Sequence, residues 1–286
     1  MTTNPGPRER EFEFTQADFE SLRVLVRRLS GINLSDAKRE LVYGRLSRRL
    51  RHHRLASFAD YRQLLAGPDG EAEIIDFTNA VTTNLTAFFR EPHHFEYLRQ
   101  KFLAPRVSEA HGSHRIRIWC AGCSTGEEAW SIAMSVVEAV PEWQRWDIRI
   151  LATDLDTQVL QTCVAAEYGA DRLRNLSEAR LMRFFDARGS GAARRYRVKP
   201  ELASLVSFRQ LNLMHPLPMR GPLDVIFCRN VVIYFDKETQ RGLFARFAPL
   251  QRPGDLMFLG HSESLLQVSE AWTSQGRTIY TRCTPC

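Results

Sequence analysis

The sequence predicts an open α/β sheet with helices on both faces, preceded by a small all-α domain and carrying a small antiparallel β insertion. Three observations predict it. Before residue 115 the apolar residues recur at helical spacing and no strand pattern appears. From Arg115 onward, period-two apolar runs alternate with helical ones, as strands and crossover helices do. Finally, Gly189-Ser-Gly191, Arg195-Tyr-Arg-Val198, Pro200 and Leu205-Val-Ser-Phe208 read as a glycine-turned antiparallel insertion at the sheet edge, over about 187–210. The expected division is a disordered tail over 1–11, a helical domain over 12–82, a linker and connecting helix over 83–114, and an α/β domain over 115–286.

Each helix of the first domain has a start signal and an apolar stripe. Thr15 can cap a helix carrying Leu22, Leu25, Val26 and Leu29, with Gly31 as its stop. Ser35 can cap the next, whose stripe is Val42, Leu46 and Leu50. Ser57 opens a shorter helix with Phe58, Tyr61, Leu64 and Leu65, ended by Gly67-Pro68. Residues 71–81 form another, with Ile74, Ile75 and Phe77.

In the second half, Arg115-Ile-Arg-Ile-Trp-Cys120 alternates as a strand does. Ala121-Gly-Cys-Ser-Thr-Gly126 turns into a helix holding Ala129, Ile132, Ala133, Val136 and Val137. Ile148–Thr153 is a second strand, ending at Asp154, with a helix following over 157–166. Leu223–Cys228 and Leu256–Leu259 are later strands around a helix Lys237–Phe247, and Thr278–Thr281 closes the chain.

Composition narrows the function. The chain has 286 residues, 44% hydrophobic and 25% charged, as globular proteins do. No run reaches the ~18–20 apolar residues of a membrane span, and the first residues lack the apolar core of a secretory signal. A cytoplasmic protein without membrane insertion is expected. The formal charge is +6. Between Lys38 and Arg54, seven basic residues stand against Glu40 alone, which equals the whole excess, so a local acidic partner fits better than general nucleic-acid affinity. Lys38, Arg45, Arg48, Arg49 and His52 fall within about 100° of helical arc. No acid lies between Glu40 and Asp60 to neutralise this stripe within the helix. Cys120/Cys123 and Cys283/Cys286 lie much too far apart for paired zinc knuckles, which are usually ~15–20 residues apart, and Cys163 and Cys228 sit in apolar surroundings as core thiols do. No metal and no disulfide is expected.

The strand–turn–helix at 115–137 is a cofactor cradle. Gly122 and Gly126 allow close backbone approach, and the helix beyond them offers unpaired N–H groups. That helix opens with Glu127 and Glu128, which stabilise its dipole and disfavour a phosphate guest. They favour a cationic head, such as the ammonium and sulfonium of S-adenosylmethionine. The turn also lacks GxGxxG spacing. Asp154, at the end of the second strand, can accept both ribose hydroxyls of an adenosine cofactor or serve as a helix cap. Arg229 and Asn230 end a strand at the carboxyl edge, where open α/β sheets place ligands.

Five collinear stretches carry a resemblance: Thr83-Asn-Leu-Thr-Ala-Phe-Phe-Arg-Glu91, Ala121-Gly-Cys-Ser-Thr-Gly-Glu-Glu128, Ala152-Thr-Asp-Leu-Asp156, Phe227-Cys-Arg-Asn-Val-Val-Ile-Tyr-Phe-Asp236 and Gly260-His-Ser-Glu-Ser264. From about residue 12 to 282 the chain resembles the chemotaxis receptor methyltransferases, the CheR family. The resemblance implies a Rossmann-like methyltransferase sheet and S-adenosylmethionine-dependent esterification of receptor glutamates, with S-adenosylhomocysteine as product. It implies that Asn84, Thr86 and Arg90 line the cofactor pocket, with Arg90 near the transferring methyl and the substrate carboxylate. Phe88 and Phe89 form core and wall. Glu128 holds the methionine amino group while Glu127 is solvated, Asp154 takes the ribose, Asn212 and Leu213 lie beside the adenine, and Tyr234 sits near the methyl group. His261 has a structural role beside the last strands. The basic stripe meets the cytoplasmic helices of methyl-accepting chemotaxis receptors, and the β insertion docks a receptor tail in some members. The rivals are an S-adenosylmethionine-dependent RNA methyltransferase, against which the absence of an Asn/Asp-Pro-Pro-Tyr/Phe signature counts, and a non-catalytic S-adenosylmethionine-binding module.

Overall fold

A computed structural model describes residues 10–68, 70–108 and 114–284. The expected tail lies outside them up to residue 9, but Arg10 pairs with Glu40 and Glu11 with Arg51. The chain divides into two compact units, Met1–Thr82 and Thr83–Cys286. No helix is long and apolar enough to cross a membrane among the described residues.

The first unit holds α1 (Gln16–Ser30), α2 (Arg39–His53), α3 (Phe58–Ala66) and α4 (Gly70–Val81). Thr15 and Asp18 form a reciprocal capping box on α1, and left-handed Gly31 ends it. Ser57 caps α3 through Asp60 N. Ser35 makes no cap bond, because a 3-10 turn, Asp36–Lys38, intervenes before α2. The apolar stripes meet in one core containing Phe19, Leu22, Val26, Leu46, Leu50, Phe58, Tyr61 and Phe77.

Inside this unit a buried carboxylate binds three helices together. Glu73 of α4, with a side chain 3% exposed, accepts from Arg49 Nε of α2 at 2.9 Å and from Tyr61 Oη of α3 at 2.6 Å. It also contacts His53 Nε2 at 2.6 Å. Burial works to raise its pKa, and the bonds from Arg49, Tyr61 and His53 outweigh that and hold it below the usual carboxylate range. Arg49 further contacts Asp76 at 2.7 Å, and Arg45 donates to the carbonyls of Ala80 and Thr82. The basic stripe is therefore not the unpaired one expected. Its acids come from another helix, and Lys38, Arg48 and His52 are the members that remain exposed.

The second unit opens with α5 (Pro92–Tyr97), a π-helical stretch Leu98–Leu103 and α6 (Ala104–Ser108). The alternation follows: β1 (Arg115–Ala121), α7 (Glu127–Ala139), β2 (Asp147–Asp154), α8 (Thr157–Ala165), β3 (Glu167–Gly169), α9 (Glu178–Phe184), β4 (Phe185–Arg188), β5 (Arg195–Val198), α10 (Pro200–Ala203), β6 (Val206–Gln210), β7 (Val225–Cys228), α11 (Lys237–Phe247), β8 (Leu256–Leu259), β9 (Trp272–Gly276) and β10 (Ile279–Arg282). The seven-stranded sheet has the order β6-β2-β1-β7-β8-β10-β9. Its first five strands are parallel, and β10 runs antiparallel to β8 and β9. The chain leaves β1 toward β2 and β6 on one side and returns to β7 on the other. The crevice at the carboxyl ends of β1, β2 and β7 is thus the topological switch point where such sheets bind ligands.

Two expectations about the sheet change. The insertion is a three-stranded sheet, β3-β5-β4, spanning 167–198 rather than 187–210. Leu205–Phe208 belongs to β6, which pairs in parallel with β2 as the edge of the main sheet. A strand of mixed burial looks the same on either sheet, so only the pairing decides. β9 carries mostly exposed residues and shows no apolar alternation, which is why the sequence gives no sign of it.

If Glu73 joins three helices, Glu73→Ala leaves the Arg49 and Tyr61 groups without their buried acceptor. Losing one partner of a buried pair costs about 3–5 kcal/mol. Urea unfolding of the whole chain should show this loss in the transition of the helical unit, and an unshifted midpoint would exclude the carboxylate as its organiser.

Candidate functional site

Five parallel strands deliver their following residues to one edge: the turn 122–126 after β1, Asp154 at the end of β2, Asn212 and Leu213 after β6, Arg229–Tyr234 after β7 and Gly260–Glu263 after β8. Sequence-predicted residues from four separate motifs therefore converge.

The turn after β1 is shaped by its backbone. Gly122 N and Cys123 N both donate to Thr153 O, at 2.8 and 2.9 Å, which locks the turn onto the end of β2. Gly122 has φ +90 and a Cβ there would overlap Val231. Its freedom thus serves the contact with the β7 loop. Asp154 is held by the same turn. Its Oδ2 accepts from Ser124 N at 2.7 Å and its Oδ1 from Asp156 N at 3.0 Å, and Leu155 N also bonds the carboxylate. Burial raises its pKa. Asn84 Nδ2 donates to Asp156 at 2.7 Å, and Asn84 O accepts from Ser124 Oγ at 3.1 Å, so the linker is tied to the turn. Thr86 lies half-buried on the same linker segment.

The two glutamates that open α7 are both buried, which corrects the expectation that Glu127 is solvated. Glu127 is fully buried and accepts from Arg172 Nε at 2.8 Å and from Thr125 Oγ1 at 2.6 Å. Arg172 also donates to Thr125 Oγ1, and Tyr168 Oη donates to Thr125 O at 2.7 Å. Tyr168 belongs to β3, so the small sheet braces the turn. Glu128 accepts from Arg229 Nη1 at 2.7 Å and from Cys120 Sγ at 3.3 Å. Burial raises its pKa, against the pull of the Arg229 charge.

Arg229 is the centre of the site. It is 3% exposed. Beyond Glu128, its Nη2 donates to Arg90 O at 2.6 Å and lies 3.3 Å from Glu91 Oε2, and its guanidinium stands 5.6 Å from the Phe95 ring. Its Nε has no hydrogen-bond partner among the described residues. Glu91, in a left-handed conformation, also contacts His261 Nδ1 at 3.2 Å. Burial works to raise the Glu91 pKa, and Arg229 with His261 outweighs it and holds it low. Arg90 itself is half-buried. Its Nη1 donates to Leu85 O at 3.0 Å and its Nε stands 4.0 Å from Glu91, so the pairing with Glu91 is loose. Phe88 and Phe89 are buried, as expected of core and wall. Asn212 Oδ1 accepts from Met214 N at 2.9 Å, Leu213 is buried, and Leu211 N donates to Asp154 O at 2.9 Å. Tyr234 is half-buried at the end of a 3-10 turn, Val232–Tyr234.

Sequence reasoning missed Glu91 and His94 as organisers and gave no role to Glu263. Their motifs were visible, but a buried charge is recognised only through partners distant in sequence. His94 is fully buried, with Nε2 2.9 Å from Arg277 O and Nδ1 3.6 Å from Glu91. Glu91, His93 and His94 offer ligand atoms within 4.8 Å of one another, but Arg229 already places a positive charge on Glu91.

An open parallel sheet whose switch-point crevice carries an acid after its second strand and a glycine turn after its first defines a nucleoside-cofactor enzyme of the methyltransferase type. Residues 84–281 match the family described as "CheR methyltransferase, SAM binding domain", and residues 17–82 match its "all-alpha domain". The chain belongs to the CheR methyltransferase family and is an S-adenosylmethionine-dependent methyltransferase. It is 46% identical over 283 residues to "Chemotaxis protein methyltransferase 2" of Pseudomonas aeruginosa, covering 98% of each chain. It is 41% identical over 269 residues to "Chemotaxis protein methyltransferase" of Escherichia coli, covering 93% of this chain and 91% of that one.

His94 yields a pH prediction. Burial, with the Arg229 charge, pushes its pKa from 6.5 down to about 4. The unfolded chain takes up the proton first as pH falls, so this residue's contribution is full above about 6.5 and is lost down to about 4, by up to about 3 kcal/mol. His94→Gln keeps a donor for Arg277 O without a titrating ring. Denaturant unfolding between pH 7 and 4 should show a shallower acid loss in the variant; parallel profiles would refute the assignment.

Proposed function

We propose that this enzyme is a protein-glutamate O-methyltransferase that forms γ-methyl esters on the cytoplasmic helices of methyl-accepting chemotaxis receptors, acting in the cytoplasm. The observation that carries the reading is the set of groups on the carboxyl edge. Asp154 offers two oriented oxygens, suited to a ribose diol. The unmet Nε of buried Arg229 suits an acceptor such as the cofactor carboxylate, and Glu128 suits its ammonium. Asn84, Thr86, Arg90, Gly122 and Asn230 are assigned to the same pocket wall, with Asn212 and Leu213 beside the adenine.

When bound, S-adenosylmethionine supplies a methyl group on a sulfonium, whose C–S bond breaks as the glutamate oxygen takes the methyl and leaves S-adenosylhomocysteine. A glutamate carboxylate is already ionised at pH 7, so the chain needs no general base. Its task is alignment and exclusion of water. Arg90 and Tyr234 are assigned to orient the carboxylate. The loose contact of Arg90 with Glu91 leaves its guanidinium donors for this purpose, and only bonds that strengthen in the transition state raise the rate.

Two surfaces are assigned to the receptor. Lys38 and Arg48 form the solvent-facing part of the basic stripe, while Arg45 and Arg49 place α2 against α4 and serve the receptor indirectly. On the small sheet, Arg197 stands between Glu167 and Asp186, but Arg195 stands between Gly169 and Arg188. Like charges directly across a sheet are destabilising; Glu167, 3.7 Å from Arg188, offsets part of this, and an acidic receptor tail would relieve the rest. The function is tested by incubating the enzyme with S-adenosylmethionine labelled in the methyl group and a receptor cytoplasmic fragment. Base-labile label on receptor glutamates is expected; label that resists base, or none, overturns the reading.

Asp154→Ala removes an acceptor for charged hydrogen bonds, worth roughly 1.5–3 kcal/mol. Calorimetric titration with S-adenosylhomocysteine should show affinity weakened about 10–150-fold. An unchanged dissociation constant takes Asp154 out of the pocket.

For the stripe, Lys38→Glu with Arg48→Glu should raise KM for the receptor and flatten its dependence on salt, because exposed charges act mainly on association and are screened. S-adenosylhomocysteine affinity should stay as in the wild type. A receptor KM that matches the wild type at low and high salt would remove this surface from the interface.

A further inference from the structure

The stretch Gly260–Ser264 has no part in binding or transfer so far, although it holds a buried acid. Glu263 is 5% exposed, and the partners of its carboxylate are backbone N–H groups. Oε2 accepts from Gly260 N at 2.6 Å and from Asn230 N at 2.8 Å, and Oε1 accepts from Ile233 N at 3.1 Å. Burial raises its pKa, against these bonds. A buried carboxylate without a cation is costly and persists only when its lone pairs are filled.

The same loop is held from its other side. Gln240 of α11 is buried, and its Nε2 donates to Val232 O at 2.9 Å and to Phe235 O at 3.0 Å. One side chain thus accepts from N–H groups of the loop after β7, and the other donates to its C=O groups. The loop needs both. Asn230 sits at φ +58, which is unusual for a residue with a side chain. A Cβ at Gly260 would overlap Asn230, so the β8 turn is glycine where it meets the loop. The segment held in this way begins at Arg229 and presents Tyr234 between the anchored residues Ile233 and Phe235.

We infer that Glu263 and Gln240 are positioning residues for methyl transfer: together they fix the backbone of the loop after β7 and thereby the placement of Tyr234. The inference rests on the assignment of Tyr234 to the transfer step. Asp154 and the β1 turn lie on other strands, and no hydrogen bond joins either to Glu263 or Gln240 among the described residues. Asn230 and Arg229, assigned to the cofactor pocket, lie on the clamped loop, and Glu263 holds Asn230 N directly, whereas Gln240 holds Val232 O and Phe235 O on either side of Tyr234. Cofactor affinity should therefore depend little on the Gln240 half of the clamp.

The test compares Glu263→Gln and Gln240→Met with the wild type, per folded enzyme. In Glu263→Gln an amide N–H faces backbone N–H donors. Small misplacements of reacting groups can cost up to about 100-fold. The expected result is a fall in kcat of about 10–100-fold in Glu263→Gln and a smaller fall in Gln240→Met, with S-adenosylhomocysteine affinity within about 3-fold of wild type in Gln240→Met and weakened less than kcat in Glu263→Gln. Amide hydrogen exchange, read on the same samples, should quicken at Asn230 and Ile233 in Glu263→Gln while β1 and β2 stay protected. That measurement does not need a methylated receptor, so a failure of the receptor assignment, read from the wild type, remains separate. The inference is overturned if kcat is unchanged in both variants, if affinity falls in step with kcat in Gln240→Met, or if exchange at Asn230 and Ile233 is unchanged in Glu263→Gln.

Discussion

A single buried cation organises the carboxyl edge of the sheet. Arg229 follows β7, yet its partners are Glu128 at the start of α7 and Arg90 and Glu91 in the linker. A charge withdrawn from water costs several kcal/mol unless it is paired with good geometry. Placing Arg229 therefore obliges α7 and the linker to come to it. The linker cannot wander, because its Arg90 carbonyl and Glu91 carboxylate are the acceptors that make the buried charge tolerable. The left-handed Glu91 and Phe89 are strained positions of the sort that persist where surrounding contacts determine them. Phe95 of α5 stacks on Phe227 of β7 at 5.8 Å, and Phe227 on Phe258 of β8 at 4.4 Å, so the linker's far end is anchored by apolar contact to the same strands.

The rest of the edge follows one pattern: irregular backbone buried against groups that satisfy it, a strand-end carbonyl or a buried side chain. The β1 turn uses Thr153 O and the Asp154 carboxylate, and the β7 loop uses Glu263 and Gln240. Buried loops are expensive because their polar groups have no ladder to join. The acids that meet them, Asp154 and Glu263, have backbone N–H partners, and burial raises their pKa values. Glu128 shows the same direction although Arg229 stands 2.7 Å away, because burial outweighs that charge. Glu91, where Arg229 and His261 outweigh burial, shows the opposite one. The balance between burial and partners sets the sign.

The sequence made much of this legible, and the exceptions share a cause. Period-two runs at 115–120 and 148–153, the Thr15 and Ser57 caps and the strand-end positions of Asp154 and Arg229 are local signals, and local signals survive in one dimension. What failed was pairing at a distance. The basic stripe looked free because Glu73 and Asp76 lie on another helix. Glu127 looked solvated because Arg172 comes 45 residues later. Leu205–Phe208 looked like part of the insertion because nothing in a strand's own residues names its neighbour, here β2.

The brace between the small sheet and the β1 turn bears on how this protein can be rebuilt. Tyr168 lies in β3 and Arg172 in the 3-10 turn after it, Ala170–Leu173, but their side chains belong energetically to Thr125 and Glu127. Trp130 Nε1 donates to the same Tyr168 hydroxyl at 2.8 Å. The insertion is consequently not a cassette with clean edges. A chimera that exchanged residues 167–198 for those of a relative would also exchange the support beneath the β1 turn, and would strand Glu127 as a buried, uncompensated acid. A cut that keeps Tyr168 and Arg172 with the main sheet, and replaces only the hairpin beyond α9, respects the boundary that the hydrogen bonds draw.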